Sequence, residues 1–414
     1  MLRRLLYESY DRAVRDNLVP LTATRIVANT AYRFAPPFIA IIAGAQQGFD
    51  VSIARVGLVI SISELAGFLA PLLGAFVDRV SRRTAMAAGL GGSLVGILLM
   101  AIAPNLVVLC VGLTLLNLLK SCFDLGMAAW IADRVPYDRR GRVVGLTETS
   151  WALSLLMGVT VLGLVTAVST WRVACVIGAV AIAACATWLD SSLRRSGGTA
   201  RGGTTTTDVA ASGDASHPGA RTTGTRIADG RSARAWLVPL SMFGLMGASQ
   251  CLFVTFGAWL ADDFGFGASR IAAVGFALGA GELLSSVSSA RYTDRIGKER
   301  SVALGALLMI PAAVVLAAFG SLLAVGLFGL AVFIVGFEYA VVSMLPIATS
   351  LFAGAPCKGF GLVIGAGTFG RGVLTFVATS LYESAGIAGG ALAGAVCAAL
   401  SAAAIGVFSR GTRW

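Results

Sequence analysis

The sequence predicts an all-α polytopic membrane protein: twelve spanning helices in two sets of six. Three observations lead there, namely an apolar composition, recurring apolar runs of spanning length, and a charged loop that occurs twice. Of 414 residues, 57% are apolar and 13% charged, and the mean hydropathy is +0.83. A soluble domain carries roughly a quarter charged residues. The apolar runs, about 20 residues each, match a hydrocarbon layer of roughly 30 Å. Lipid offers the backbone no hydrogen-bond partner, so only helices or closed barrels span it. These runs are about twice the length of a tilted barrel strand, which leaves helices.

Breaks of charge and turn residues separate the runs at 20–45, 52–77, 84–103, 105–131, 143–167, 171–190, 236–260, 269–290, 301–319, 321–349, 360–384 and 387–408. Residues 1–19 read as a cytoplasmic amphipathic segment, with Leu2, Leu6, Tyr10 and Ala13 on one face. Glu8 and Asp11 interrupt what would be the apolar core of a signal peptide. Residues 20–190 form one six-helix bundle and 236–409 the second, with a short tail at 410–414. Between the bundles, 191–235 is rich in Gly, Thr, Ser and Arg and has almost nothing to bury. It reads as a disordered cytoplasmic linker.

Charge fixes the expected orientation. With the N-terminus inside, most of the 32 basic residues fall in the termini, the linker and the inner loops, while the outer loops hold only Arg55, Arg172 and Arg270. That is the positive-inside pattern, and it accounts for the net charge of +11 without nucleic acid. A multi-pass protein of the cytoplasmic (inner) membrane with both termini inside is predicted. Six of the seven cysteines, Cys110, Cys122, Cys175, Cys185, Cys251 and Cys397, lie within the runs without metal-ligand spacing, as reduced packing residues. The lone histidine, His217, sits in the linker, which rules out histidine chemistry inside the membrane. The cluster "GLGGSLVG" lacks the preceding strand of a dinucleotide fingerprint and reads as close helix packing. No nucleophile with a base, metal cluster or phosphate loop is present. Neither an enzyme nor a cofactor is predicted.

"GAFVDRVSRR" at Gly74–Arg83 and "ARYTDRIGKER" at Ala290–Arg300 each follow the second helix of a half. Arg140-Gly141 and Lys358-Gly359 each follow the fourth, at nearly the same separation. The chain is therefore an internal duplication. The first loop resembles the signature of the major facilitator superfamily, Gly-x-x-x-Asp-Arg-x-Gly-Arg-Arg, at Gly74, Asp78, Arg79, Arg82 and Arg83, with Ser81 where the family has glycine. The second matches at Asp294, Arg295, Gly297, Lys298 and Arg300, with Ala290 replacing the leading glycine. The resemblance implies two parallel six-helix repeats around a central cavity, and a cytoplasmic latch formed by these residues when the protein opens outward.

Ionisable groups inside a membrane are costly and usually functional. Eight are placed there: Arg33, Glu64, Lys120, Asp124, Glu148, Glu282, Glu338 and Arg371. Helices three, six, nine and twelve have none, and in the family these four face lipid. Arg33, Glu64, Lys120, Glu282, Glu338 and Arg371 are predicted to line a substrate cavity, with Asp124 and Glu148 coupling transport to protons. Lys120 and Asp124, one turn apart, are either a self-neutralising pair or a substrate contact beside a proton carrier. Glu148 is either a relay at the cavity edge or the partner of a loop arginine. Arg371 pairs with Glu338 or holds an anionic substrate. For Glu64 and Glu282 the alternative is a hydrogen bond within the protein. Pro36-Pro37, Pro71, Pro311 and Pro346 each remove a backbone bond within a span, either for bending or for static packing.

Within the superfamily the sequence most resembles the twelve-helix exporters of small organic compounds. It departs from them in carrying Gly158-Val159 where the antiporter signature has Gly-Pro, and Lys120 where helix four has arginine. The expectation is a monomeric secondary transporter, moving a small organic solute outward in exchange for protons. The alternatives are uptake by proton symport, or a membrane sensor or assembly factor that kept the fold without transporting.

Overall fold

The computed structural model describes residues 12–69, 79–135, 147–197, 233–352 and 356–411, together with Leu73, Val77 and Val143. Every described element is helical. Ten helical runs are long and apolar enough to cross a membrane. One of them, Gly359–Arg410, is two passes, because the helix doubles back at Gly386 with φ 59° and ψ −150°, a combination open only to glycine. The twelfth pass is represented by Ile53–Leu65 and a 3-10 turn at Ala66–Leu69, after which only Leu73 and Val77 of the expected span are described. The expected spans are all present in order.

Two boundaries differ from the sequence reading. The first helix begins at Arg12 and runs unbroken to Phe34, so 12–19 is the first turns of span one and not a separate surface helix. Asn17 and Val14 are buried there, packed by the end of span six, which itself continues to Gly197. The expected linker therefore starts later, and 198–232 lies outside the described residues, as do residues 1–11. Of the prolines, Pro36-Pro37 does break its span, into a 3-10 turn at Pro36–Phe38 followed by Ile39–Ala43. Pro311 and Pro346 sit inside helices that continue, and Pro71 lies outside the described residues.

Small residues set the packing within each half, as expected where helices gain nothing from leaving lipid. Gly96 of span three, Arg82–Ile102, lies against the backbone of Leu116 in span four, Leu106–Arg134. Gly305 of span nine, Lys298–Phe319, meets Gly336 of span ten, Leu323–Ser350, in the same way. The duplication is thus visible in close contacts as well as in loops. Outward faces are apolar, with Val107, Leu164, Leu284 and Val396 exposed, as a lipid-facing surface requires.

The halves meet mainly near one end, the end carrying the 44–52 turn and Gly386. There span two packs along span eleven, and span five, Thr147–Val168, along span eight, Ala268–Ile296. Ser61 Oγ donates to the Gly372 carbonyl, and the Ala54 amide to Glu383 Oε1 at 2.8 Å. A methyl group on Gly257 would land on the Pro37 carbonyl. Toward the other end, among the described residues, span four packs against neither span ten nor span eleven, and Phe68 and Phe369, though edge to face at 4.8 Å, stay half exposed. The bundle is closed at one end and splayed at the other.

Overpacking costs about 1–3 kcal/mol. Gly96→Leu and Gly305→Leu, each forcing a helix pair apart, are expected to lower the unfolding midpoint of the detergent-purified protein by several degrees. Gly91→Leu, where a side chain meets open space, leaves it unchanged.

Candidate functional site

Charged side chains collect midway along the spans, where the closed end gives way to the splayed one. In the first half the centre is Arg25 of span one. Its Nη1 donates to Glu148 Oε1 at 2.9 Å and to the Thr147 carbonyl at 2.9 Å, its Nη2 to Glu148 Oε2 at 3.3 Å, and its Nε to Asp124 Oδ1 at 3.3 Å. Lys120 Nζ takes the other Asp124 oxygen at 2.7 Å. Asp124 is therefore held between two cations, and Glu148 binds a helix-one arginine where the sequence offered a loop arginine. Side chains of Asp124 and Glu148 remain 25% and 38% exposed, so water from the splayed end reaches both.

Two further pairs cross between the halves. Arg33 of span one makes a bidentate pair with Glu282 of span eight, at 2.9 and 2.7 Å, and also donates to the Trp151 carbonyl. Its side chain and that of Glu282 are 3% and 1% exposed. Fork-to-fork geometry of this kind is the strongest an ion pair offers. Arg371 of span eleven reaches Glu64 of span two at 3.3 Å, and the Tyr32 hydroxyl donates to the same carboxylate, 2.9 and 2.8 Å from its two oxygens. Of the two readings of Arg371, the pair with Glu338 is not the one formed; its partner is Glu64. Spans two and eleven are packed along each other at the closed end, which puts Glu64 within reach of Arg371.

Glu338 instead accepts from Ser286 of span eight at 2.6 Å, is 5% exposed, and has no cation paired with it among the described residues. Two rings of the first half organise the cations. Lys120 lies over Tyr32 and Trp151 at 5.1 and 5.5 Å, Arg33 over Trp151 at 4.7 Å and over Phe253 at 5.0 Å, and Arg371 over Tyr32 at 5.5 Å. Such contacts contribute most where water is excluded. Gln250 of span seven, fully buried, has neither its amide nitrogen nor its oxygen bonded. One turn on from it, Phe253 faces Arg33.

The side chains of these eight residues are engaged with other spans in two groups, one around Arg25 and one between the halves at Arg33, Glu282, Glu64 and Arg371, with Glu338 beside Ser286. The structure adds Arg25, Tyr32, Trp151, Ser286 and Gln250. A signal for Arg25 was present, since Arg25, Asn29, Tyr32 and Arg33 fall at i, i+4, i+7 and i+8 on one helical face. Ser286 and Gln250 gave none, because serine and glutamine in an apolar run are read as tolerated polar residues.

In span five the stretch Ser154–Val159 is a π-helical turn, at the place where the antiporter signature would put Gly-Pro. Such turns interrupt the regular ladder, often at functional sites.

Of the repeated loop, Gly74 and Asp78 lie outside the described residues, as do the side chains of Asp294 and Lys358. Arg82 bonds Asp133 at 3.1 Å and the Val77 carbonyl at 3.0 Å, and Arg83 bonds Asp190 at 2.6 Å. Both arginines tie spans of the first half together in this conformation. Arg79, Arg295, Lys298 and Arg300 are exposed at the splayed end. Gly297, at φ 96°, makes the turn between spans eight and nine.

Comparison with known proteins agrees with this architecture. The chain resembles, with a TM-score of 0.71 and 14% identity, a bacterial homolog to the human lysosomal transporter Spinster in an inward-facing and unoccupied conformation, over 98% of this chain and 99% of that one. A POT family transporter in complex with 5-aminolevulinic acid aligns with a TM-score of 0.74 at 13% identity, over 96% of each chain. The uncharacterized MFS-type transporter YwfA of Bacillus subtilis (strain 168) is 35% identical over 127 residues, covering 30% of this chain and 31% of that protein. The profile of the Major Facilitator Superfamily matches residues 21–379. On that match, which takes in both halves and the charged centre between them, the chain belongs to the Major Facilitator Superfamily.

Proposed function

We propose that the chain is a secondary transporter that moves a small organic solute across the cytoplasmic membrane by alternating access, outward and in exchange for protons. The observation that carries this reading is the pair of buried salt bridges between the halves, Arg33–Glu282 and Arg371–Glu64. They stand where the closed end meets the splayed one, so opening the closed end has to break both. A protein with one static structure gains little from buried ion pairs, which often do no better than apolar packing. A protein that alternates between two openings gains a state-dependent bond.

On this reading the splayed end faces the cytoplasm, since it carries the exposed basic residues Arg79, Arg295, Lys298 and Arg300. The solute enters from there and meets Lys120, Arg33, Glu64, Glu282, Glu338 and Arg371, the rings of Tyr32 and Trp151, and the unbonded amide of Gln250. Asp124 and Glu148, partly exposed, exchange protons with the cytoplasm, and each is released to do so when the cation beside it turns to the solute. In the opposite state Asp78 and Arg79, with Asp294 and Arg295, latch the splayed end. The unit at work is a monomer.

Removing one partner of a buried pair costs about 3–5 kcal/mol, because the other charge is stranded. Glu282→Gln is expected to loosen the closed end, raising thiol-reagent labelling of Ala272→Cys, buried there, at least tenfold. Arg33→Met with Glu282→Met strands no charge and returns labelling to within about threefold of the parent. Equal labelling in all three would remove the pair from gating.

Transport is tested in inverted membrane vesicles holding an imposed pH gradient and challenged with a solute library. A transported solute collapses the gradient and accumulates. Asp124→Asn is expected to abolish accumulation while leaving solute exchange largely intact, and Glu148→Gln to show a milder form of the same loss. Solute-independent behaviour across the library, with no exchange, would overturn the transport reading.

A further inference from the structure

A count of charge at the centre singles out one residue. Within the spans, the first half places Arg25, Arg33 and Lys120 opposite Glu64, Asp124 and Glu148, so it is balanced by itself among the described residues. The second half places Arg371 opposite Glu282 and Glu338, and is short by one positive charge. In the present conformation Arg33 crosses over to Glu282 and Glu64 crosses to Arg371, which lends the second half one charge of each sign and leaves the deficit where it was. It falls on Glu338.

The surroundings of Glu338 supply nothing to make it good. Its hydrogen-bond partner is a neutral hydroxyl, Ser286 Oγ at 2.6 Å. The charges near enough to act on it are Glu282, one turn before Ser286 on span eight, Arg33 of span one and Glu148 of span five. Arg33 spends both terminal nitrogens on Glu282 and the Trp151 carbonyl, and Glu148 is bonded by Arg25. Arg371, on span eleven, is bonded to Glu64. The charged residues of span nine, Lys298, Glu299 and Arg300, lie at its far end, and span seven carries none in its middle. An isolated carboxylate in so dry a place is disfavoured, and neutralisation is the usual remedy.

We propose that Glu338 is a further proton-holding residue of the transport cycle, acting with Asp124 and Glu148, protonated in the conformation seen here and hydrogen-bonded in that form to Ser286. The inference rests on the proton-coupled reading above. When the closed end opens, Arg33 leaves with the first half and Arg371 loses Glu64. Glu282 and Glu338 then stand on neighbouring helices with Arg371 as their cation, so between them they keep a single proton. Arg371, freed, takes over one carboxylate, and the proton on the other is supplied by water through the newly opened end. Return of Arg33 to Glu282 leaves that proton on Glu338, and it is released to the cytoplasm past Glu148 as the solute enters, which is the inward proton movement that outward solute exchange requires. The proton bound on one side is the proton released on the other, and no other species is consumed.

The test reads the carboxyl group itself. Full-length protein in lipid vesicles is titrated with pH under infrared difference spectroscopy, in choline and in sodium buffers, and the carbonyl stretch of a protonated carboxylic acid is followed. A band is expected in the wild type and in Asp124→Asn, lost in Glu338→Gln, and moved to higher frequency in Ser286→Ala, which deletes the hydrogen bond. Glu338→Asp is expected to keep a band. The Ser286→Ala shift stands even if Glu338→Gln fails to fold. A band that persists in Glu338→Gln, or that ignores Ser286→Ala, overturns the assignment and leaves proton coupling standing with another carboxyl as its seat. Absence of a band in the wild type, together with vesicles that exchange solute but ignore a pH gradient, overturns both. Loss of the band on adding sodium at fixed pH makes the site a sodium site, and overturns it as a proton site.

Discussion

A bidentate arginine–glutamate pair between the two halves, Arg33 with Glu282, is the interaction on which this molecule's behaviour depends. Either charge alone in a dry interior costs several kcal/mol. Together, and almost wholly shielded from solvent, they are stable only while span one lies against span eight. The pair therefore converts a solvation penalty into a statement about position. Rings and carbonyls around it serve the same end: Trp151 offers its face and its backbone oxygen to Arg33, and Phe253 covers the other side. Arg371 and Glu64, with Tyr32, repeat the arrangement between spans eleven and two with looser geometry.

The scaffold repeats where the chemistry does not. Both halves close their third and fourth helices through glycine, at Gly96 and at Gly305 with Gly336, and both carry an Asp-Arg pair in the sequence between their second and third helices. The polar interior is lopsided. Spans one, four and five of the first half hold a connected network of two cations and two carboxylates around Arg25. The second half holds two acidic groups and one arginine at the same depth. Duplication supplied two similar supports, and the division of labour between them lies in a handful of side chains.

This division explains what could be read from the chain. Spans, their number and the repeat were legible because lipid imposes length and apolarity on every segment, and a charge in such a segment stands out against that background. The inward direction of Arg33, Glu64, Glu282, Glu338 and Arg371 followed for the same reason. Their partners were not legible. Which carboxylate meets Arg371 depends on how two bundles lean together, a relation between residues about three hundred positions apart, and sequence spacing carries no trace of it. Arg25 escaped for a different reason: it lies near the start of a span, where an arginine is ordinarily a head-group anchor, and only the helical face it shares with Asn29 and Arg33 argues otherwise. The start of span one was misplaced because Arg12, Arg15 and Asp16 look like surface charge, although the helix they begin packs against span six.

Gly386 has a consequence for the surrounding lipid. Because spans eleven and twelve join through a single residue in a glycine-only conformation, no slack separates the helix that carries Arg371 from the one behind it, which faces the bilayer. A tilt of the former has to carry the latter along, as a hinge plate carries its leaf. Each turnover then displaces acyl chains at the rim of the second half, and the elastic cost of that displacement enters the barrier. On the proposed cycle, the turnover rate is for that reason tied to bilayer thickness and stiffness, a property of the host membrane as much as of the polypeptide.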